Sequence, residues 1–145
     1  MNTEDVKFIK DILTNNEDQD IDRFEEIMQE ALKKNDLATC STLMGILMRR
    51  ENCQELDFLL IKTIEAFGKH VYLSTLSHTL SEAQIPGEPV RVMVSRVLNS
   101  PEYTQELVNY LKTIMSNNIY RLKESLSAWP ERDAATGRKL RGMLT

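Results

Sequence analysis

The chain has 145 residues, of which 41% are hydrophobic and 28% charged, the balance of an ordinary globular domain. A chain of this length can bury roughly two-thirds of its unfolded surface, so it needs no disulfide or metal staple. Five glycines and four prolines exclude a collagenous or low-complexity chain, and no apolar run approaches the ~20 residues of a membrane span. The net charge of −4 is unevenly spread. Residues 1–36 hold 11 acids and 5 bases, residues 37–117 hold 8 and 7, and residues 118–145 hold 3 and 6. An acidic front end argues against nucleic acid as the main partner, since phosphate binding relies on Lys and Arg. It suits a basic protein partner.

Taken in order, the apolar residues fall into helical stripes. Val6, Ile9 and Leu13 open the chain. Ile21, Phe24, Ile27, Met28, Ala31 and Leu32 form one face of a second helix, with acids and lysines opposite. Leu37, Cys40, Leu43, Met44 and Leu47 repeat the pattern, as do Leu56, Leu60, Thr63, Ile64 and Phe67. Tyr72, Leu73, Leu76 and Leu80 give the fifth helix, and Val90, Met93, Val94 and Val97 the sixth. Tyr103, Leu107, Tyr110, Leu111 and Ile114 mark the seventh; Ile119, Leu122 and Leu126 mark an eighth. The expected spans are 3–14, 21–34, 36–49, 54–67, 70–81, 89–99, 101–116 and 118–128. No run alternates as a strand would.

The punctuation agrees with these spans. Asn35-Asp36 can end one helix and cap the next. Asn52 and Glu55 have the spacing of a capping box. Gly68 falls where a C′ glycine would end the fourth helix. Pro86-Gly87-Glu88-Pro89 breaks the chain. Ser100-Pro101-Glu102 reads as N-cap, N1 proline and first-turn acid. Asn117-Asn118 and Trp129-Pro130 mark two further turns. Every second helix starts roughly 33–35 residues after the last, the period of helix-turn-helix units in α-solenoids. The predicted fold is therefore all-α: antiparallel helix pairs in a short solenoid-like stack of about seven or eight helices. Residues 1–130 are expected to form a single helical domain. Residues 131–145, with Gly137 and Gly142, read as a basic C-terminal tail or a loosely docked last helix. Phe24, Leu60, Phe67, Leu76, Leu107 and Leu111 are the expected core.

Chemistry-bearing constellations are sparse. His70 and His78 stand about two turns apart, too far to chelate one metal unaided; one is expected exposed and one at a packed edge. Cys40 lies on an apolar stripe and reads as a buried thiol. Cys53 precedes a helix. With no metal-type cysteine pattern, and with an acidic N-terminus unlike a signal peptide, both read as reduced thiols in a cytoplasmic protein. Asp18, Asp20 and Asp22 imitate the start of a calcium loop. Arg23 then replaces the required Gly, and Gln29 the bidentate Glu. Gly68-Lys69 lacks the earlier glycines of a phosphate loop. No catalytic residue, cofactor or metal is expected, and the remaining class is a binding protein. Its candidate contact residues are the acidic cluster Glu17, Asp18, Asp20, Asp22, Glu25 and Glu26, read either as a solvated turn or as a partner-facing one. Met48 is expected at the edge of its stripe.

One longer pattern is more specific. It runs from Leu59 to Gly68, through Tyr72-Leu73, Leu76 and Pro89, to Arg96-Val97-Leu98-Asn99-Ser100-Pro101-Glu102-Tyr103 and Leu107. This stretch resembles a family of bacterial immunity proteins that accompany polymorphic toxins and contact-dependent growth inhibition toxins. It departs from the usual pattern after Pro89, where Val90 stands in place of an aromatic. The resemblance implies a small cytoplasmic protein that binds and neutralises a cognate protein toxin; the charge balance and the lack of a long apolar run add the expectation of no nucleic-acid and no membrane partner. Arg96, Asn99, Ser100 and Tyr103 occupy the most specific positions, and three of them have turn-holding explanations. An alternative reading is a helical adaptor or secretion chaperone that binds a partner peptide or protein. An enzyme or nucleic-acid regulator is disfavoured by the residue inventory.

Overall fold

The computed structural model describes residues 1–15, 20–82 and 84–145. Among them are nine α-helices and no strand: α1 (Thr3–Asn15), α2 (Ile21–Lys34), α3 (Leu37–Met48), α4 (Glu55–Glu65), α5 (Lys69–Leu80), α6 (Glu88–Val97), α7 (Pro101–Ile114), α8 (Ile119–Ser127) and α9 (Ala134–Met143), with a short 3₁₀ turn at Glu131–Asp133. The fold is an all-α stack. The expected stripes are the buried faces: Phe24, Leu60, Leu76, Leu107 and Leu111 are fully buried, and Phe67 nearly so.

The helices stand in two rows. α2, α4 and α6 pack in succession, and α3, α5 and α7 form a second, more tightly packed row behind them. This is the consequence of short antiparallel connections with a two-helix period. α3 lies at the centre, touching α2, α4, α5 and α6. Its sequence explains why. It carries no charge, and Thr39, Cys40, Leu43, Met44, Ile46, Leu47 and Met48 are all buried. Met48, expected at a stripe edge, is inside, because α3 is covered on more than one side.

Three local expectations are revised. Gly68 does not end α4 in a left-handed conformation. Its φ is −51° and ψ 142°, and it opens α5 as N-cap. Left-handed backbone appears instead at Asn35, φ 46°, which closes α2. Asn35 also accepts the Gly68 N–H at 2.9 Å through Oδ1, so one asparagine serves two helix ends. The capping box sits two residues later than Asn52 and Glu55. Gln54 is the N-cap, and the Asp57 carboxylate accepts the Gln54 N–H at 2.9 Å. Finally, His70 and His78 are both exposed, where one had been expected at a packed edge. His70 meets the Tyr110 hydroxyl, and His78 Nδ1 lies 2.8 Å from the Ser74 carbonyl. Asp36 and Ser100 cap as expected, accepting the Thr39 and Tyr103 N–H groups.

Ion pairs centred on buried side chains lock one end of the stack. Arg50 grips Asp57 with two bonds, at 2.9 and 3.1 Å, and donates to the Leu13 carbonyl. Glu88 accepts the Cys53 N–H at 2.7 Å and Arg132 at 2.9 Å. Arg91 donates to Asp133 and to the Pro86 carbonyl, each at 2.7 Å. Gly87 fits among these loops for a steric reason. A Cβ there would stand 1.8 Å from the Arg50 carbonyl oxygen. At the C-terminus, α9 packs on α8 and α6, with Leu140 and Leu144 buried. A Cβ at Gly137 would stand 2.4 Å from the Leu126 carbonyl oxygen, so glycine permits this close helix crossing.

Candidate partner-binding surface

α2 is built to show one face. Phe24, Ile27, Met28 and Ala31 are buried at helical spacing, which turns Asp22, Glu25, Glu26, Gln29 and Lys33 toward solvent. Three neighbouring charges are already engaged: Lys33 pairs with Glu30 at 3.1 Å, and the Arg23 guanidinium lies 4.4 Å over the Phe8 ring on α1. Asp22, Glu25 and Glu26 enter none of the ion pairs among the described residues. Their position in the first turns of α2 is favourable to negative charge. Asp20 is exposed at the N-cap but its side chain makes no capping bond. Glu17 and Asp18 lie outside the described residues.

Beside this face runs a groove of about 210 Å³ between α2 and α4. Phe24, Met28 and Leu32 line it from α2, and Leu59, Lys62 and Thr63 from α4. Glu25 and Gln29 also line it, whereas Asp22 and Glu26 do not. The acidic cluster therefore divides: Glu25 edges an apolar groove, while Asp22 and Glu26 face outward. Phe58, one turn before Lys62, is 42% exposed. The α4 wall was missed by sequence reasoning. Its local signals were Phe58 and Leu59, apolar residues off the Leu56–Leu60–Ile64 stripe, of which Leu59 lines the groove.

The Arg96–Tyr103 motif does structural work. Arg96 Nε bonds Glu65 at 2.9 Å, Ser100 caps α7, and the Thr104 hydroxyl donates to the Val97 carbonyl at 3.0 Å. Together these fix the α6–α7 turn against the end of α4. Tyr72, whose hydroxyl has no protein partner, lines a hollow of about 180 Å³ with Arg96, Ser100 and Tyr103. Burial, reinforced by the Glu65 charge, pushes its phenol upward.

The thiols are held in the protonated form. Burial raises Cys40. Burial, then the Asp57 and Glu88 carboxylates, pushes Cys53 up to about 11. A thiol so placed is a poor nucleophile at neutral pH. Among the described residues, no three His, Cys, Asp or Glu side chains gather as they would around a metal ion. Nor is any helix long and apolar enough to cross a membrane.

The model of one family, described as Immunity protein 30, matches residues 10–107, from within α1 to the middle of α7. This chain belongs to the immunity protein 30 family. The match takes in the acidic face of α2, the α2–α4 groove and the Arg96–Tyr103 turn, and stops before α8 and α9. No curated protein and no solved structure matches the chain.

Proposed function

We propose that this protein neutralises a cognate toxin by stoichiometric binding in the bacterial cytoplasm, without catalysis. The observation that carries the reading is the immunity protein 30 match over well over half of the chain. The docking surface in this reading is α2 with the α2–α4 groove. Free carboxylates at Asp22, Glu25 and Glu26, joined by Asp20 and by Glu17 and Asp18 before them, draw in a basic toxin surface. An apolar side chain then seats against Met28, Leu32 and Leu59. Charge of this kind chiefly speeds encounter, and salt slows it. A toxin that acts on nucleic acid needs a basic surface for its own substrate. Covering that surface with acids would inhibit it without touching its chemistry.

The test begins with the toxin domain encoded directly upstream. Its expression should arrest growth, and co-expression of this chain should restore it. With that pair purified, Asp22, Glu25 and Glu26 are changed together to Lys and association is followed at low and moderate salt. The expected result is slower association and a weaker salt dependence, with the circular dichroism of the parent. Unchanged association by the folded variant would remove α2 as the docking surface. Failure to restore growth would remove the immunity reading itself and favour an adaptor that uses the same groove for a peptide.

A further inference from the structure

A second groove, of about 450 Å³, opens between α7 and α9, more than twice the volume of the one beside α2. It exists because α9 is held by α8 and α6 rather than by α7. Leu98, Val108 and Met143 give it an apolar lining, and Lys112 and Lys139 stand on its two walls. A smaller, more polar hollow of about 150 Å³, edged by Ser95, Asn99 and Thr136, shares Leu98 and Lys139 and continues it along α9 to Ala135. From Ala135 to Met143, at 1.5 Å per residue, the lined stretch is about 12 Å, or about two helical turns.

The electrostatics of this groove are one-sided. No acidic side chain lines it. Neither Lys112 nor Lys139 enters an ion pair among the described residues. α9 has no acid at all and adds Arg138 and Arg141. The acids of α7 point elsewhere: Glu102 and Glu106 both reach Lys69 on α5. A trough whose apolar residues are interspersed with Thr104 and Gln105, with a lysine on each wall, is complementary to an apolar ridge flanked by carboxylates. The lysine stems extend the apolar contact while their ammonium groups meet the acids.

We propose that the α7–α9 groove is a docking site for an amphipathic helix of a partner protein, about two turns long, whose apolar stripe is flanked by Asp or Glu. A second copy of this chain fits poorly. Its acidic helix, α2, has its apolar stripe buried in its own core. The two lysines lie beyond the residues matched by the family model, whereas Leu98 and Gln105 on the groove's other part lie within them. The proposal is independent of toxin docking at α2, which has the opposite charge on different helices.

The test uses the full chain and two synthetic 14-residue helices. One carries a Leu stripe flanked by Glu; its twin has Lys at every Glu position. Titration calorimetry at low salt should give one-to-one binding of the Glu peptide, about tenfold tighter than the twin. Changing Lys112 and Lys139 together to Glu should abolish that preference, whereas Lys34→Glu, on α2, should leave it intact. Equal binding of the two peptides, or no binding of either, overturns the proposal. So does an unchanged preference in the folded Lys112→Glu, Lys139→Glu variant. Sedimentation gives one more outcome that would overturn it: self-association of the parent, lost in that variant, would make the occupant a second copy.

Discussion

Two sets of charges in this protein are opposite in kind. At the locked end of the stack, Asp57, Glu88 and Arg91 are almost wholly buried, each with two or more partners, local for Asp57 and in part distant in sequence for Glu88 and Arg91. On α2, Asp22, Glu25 and Glu26 are exposed and engaged in none of the described ion pairs. The same residue types therefore serve different ends, and burial separates them. A charge removed from water must be satisfied within the fold, and losing its partner is costly. A charge left in water contributes little to the fold and stays available to a partner.

The comparison breaks most visibly at Asp57. Its carboxylate is fully buried, grips Arg50 twice and accepts the Gln54 N–H. Asp57→Ala should cost about 3–5 kcal/mol, because it strands the partly buried Arg50 guanidinium and unmakes the α4 cap. Denaturant unfolding measures this. Arg50→Ala in the same background should cost less than in the parent, since the pair is already gone. Additive losses would show that the two do not act as a unit. By contrast, Asp22, Glu25 and Glu26 changed together to Lys should cost only about 1–2 kcal/mol, the loss of favourable charge in the first turns of α2.

This contrast also marks what the sequence made legible. Every helix that carries a clean apolar stripe was placed within a few residues, because a 3.6-residue period is a local signal. α9 was left open, since Gly137 and Gly142 weaken its pattern and its main anchor, Leu140, is a single residue. The long-range ion pairs were invisible for a different reason: Arg91 and Asp133 are 42 residues apart, and no local pattern links them. The acidic face of α2 could be read from the helix itself. Its groove could not, because half of that groove is α4. The glycine at 68 misled because its position after Phe67 fits a C′ residue. Asn35, from a distant turn, supplies what the helix ends need there.

A steric counterpart to Asp57 comes next in size. Gly137→Ala places a methyl against the Leu126 backbone and should cost about 1–3 kcal/mol. Trp129, the sole tryptophan, is buried beside Gly137, so its fluorescence should shift toward that of an exposed indole if α9 separates from α8. Gly142→Ala is the control: nothing lies within 4 Å of its Cβ position, and it should stabilise slightly. Equal effects at the two glycines would mean that α9 does not depend on its close crossing with α8. A smaller loss, about 1 kcal/mol, is expected for Ser100→Ala, which removes the cap of α7 and tests whether the Arg96–Tyr103 motif holds a turn.

The smallest effect lies at the exposed end of the stack. Glu102 bonds Lys69 at 2.7 Å, and that bond holds its carboxyl below the usual range. A group whose pKa is lower folded than unfolded adds stability above its unfolded value, and that stability is lost as pH falls through its folded value. Glu102→Gln should therefore lower the unfolding midpoint slightly at pH 7. The gap to the parent should close as the pH drops below the ordinary glutamate range. Because Glu102 is fully solvated, 1 M salt at neutral pH should also close most of it. Urea midpoints for both proteins across pH 3–7, at two salt concentrations, check this. A gap that widened in acid, or one indifferent to salt, would place Glu102 with the buried charges rather than the solvated ones. The division between the two sets would then no longer follow burial.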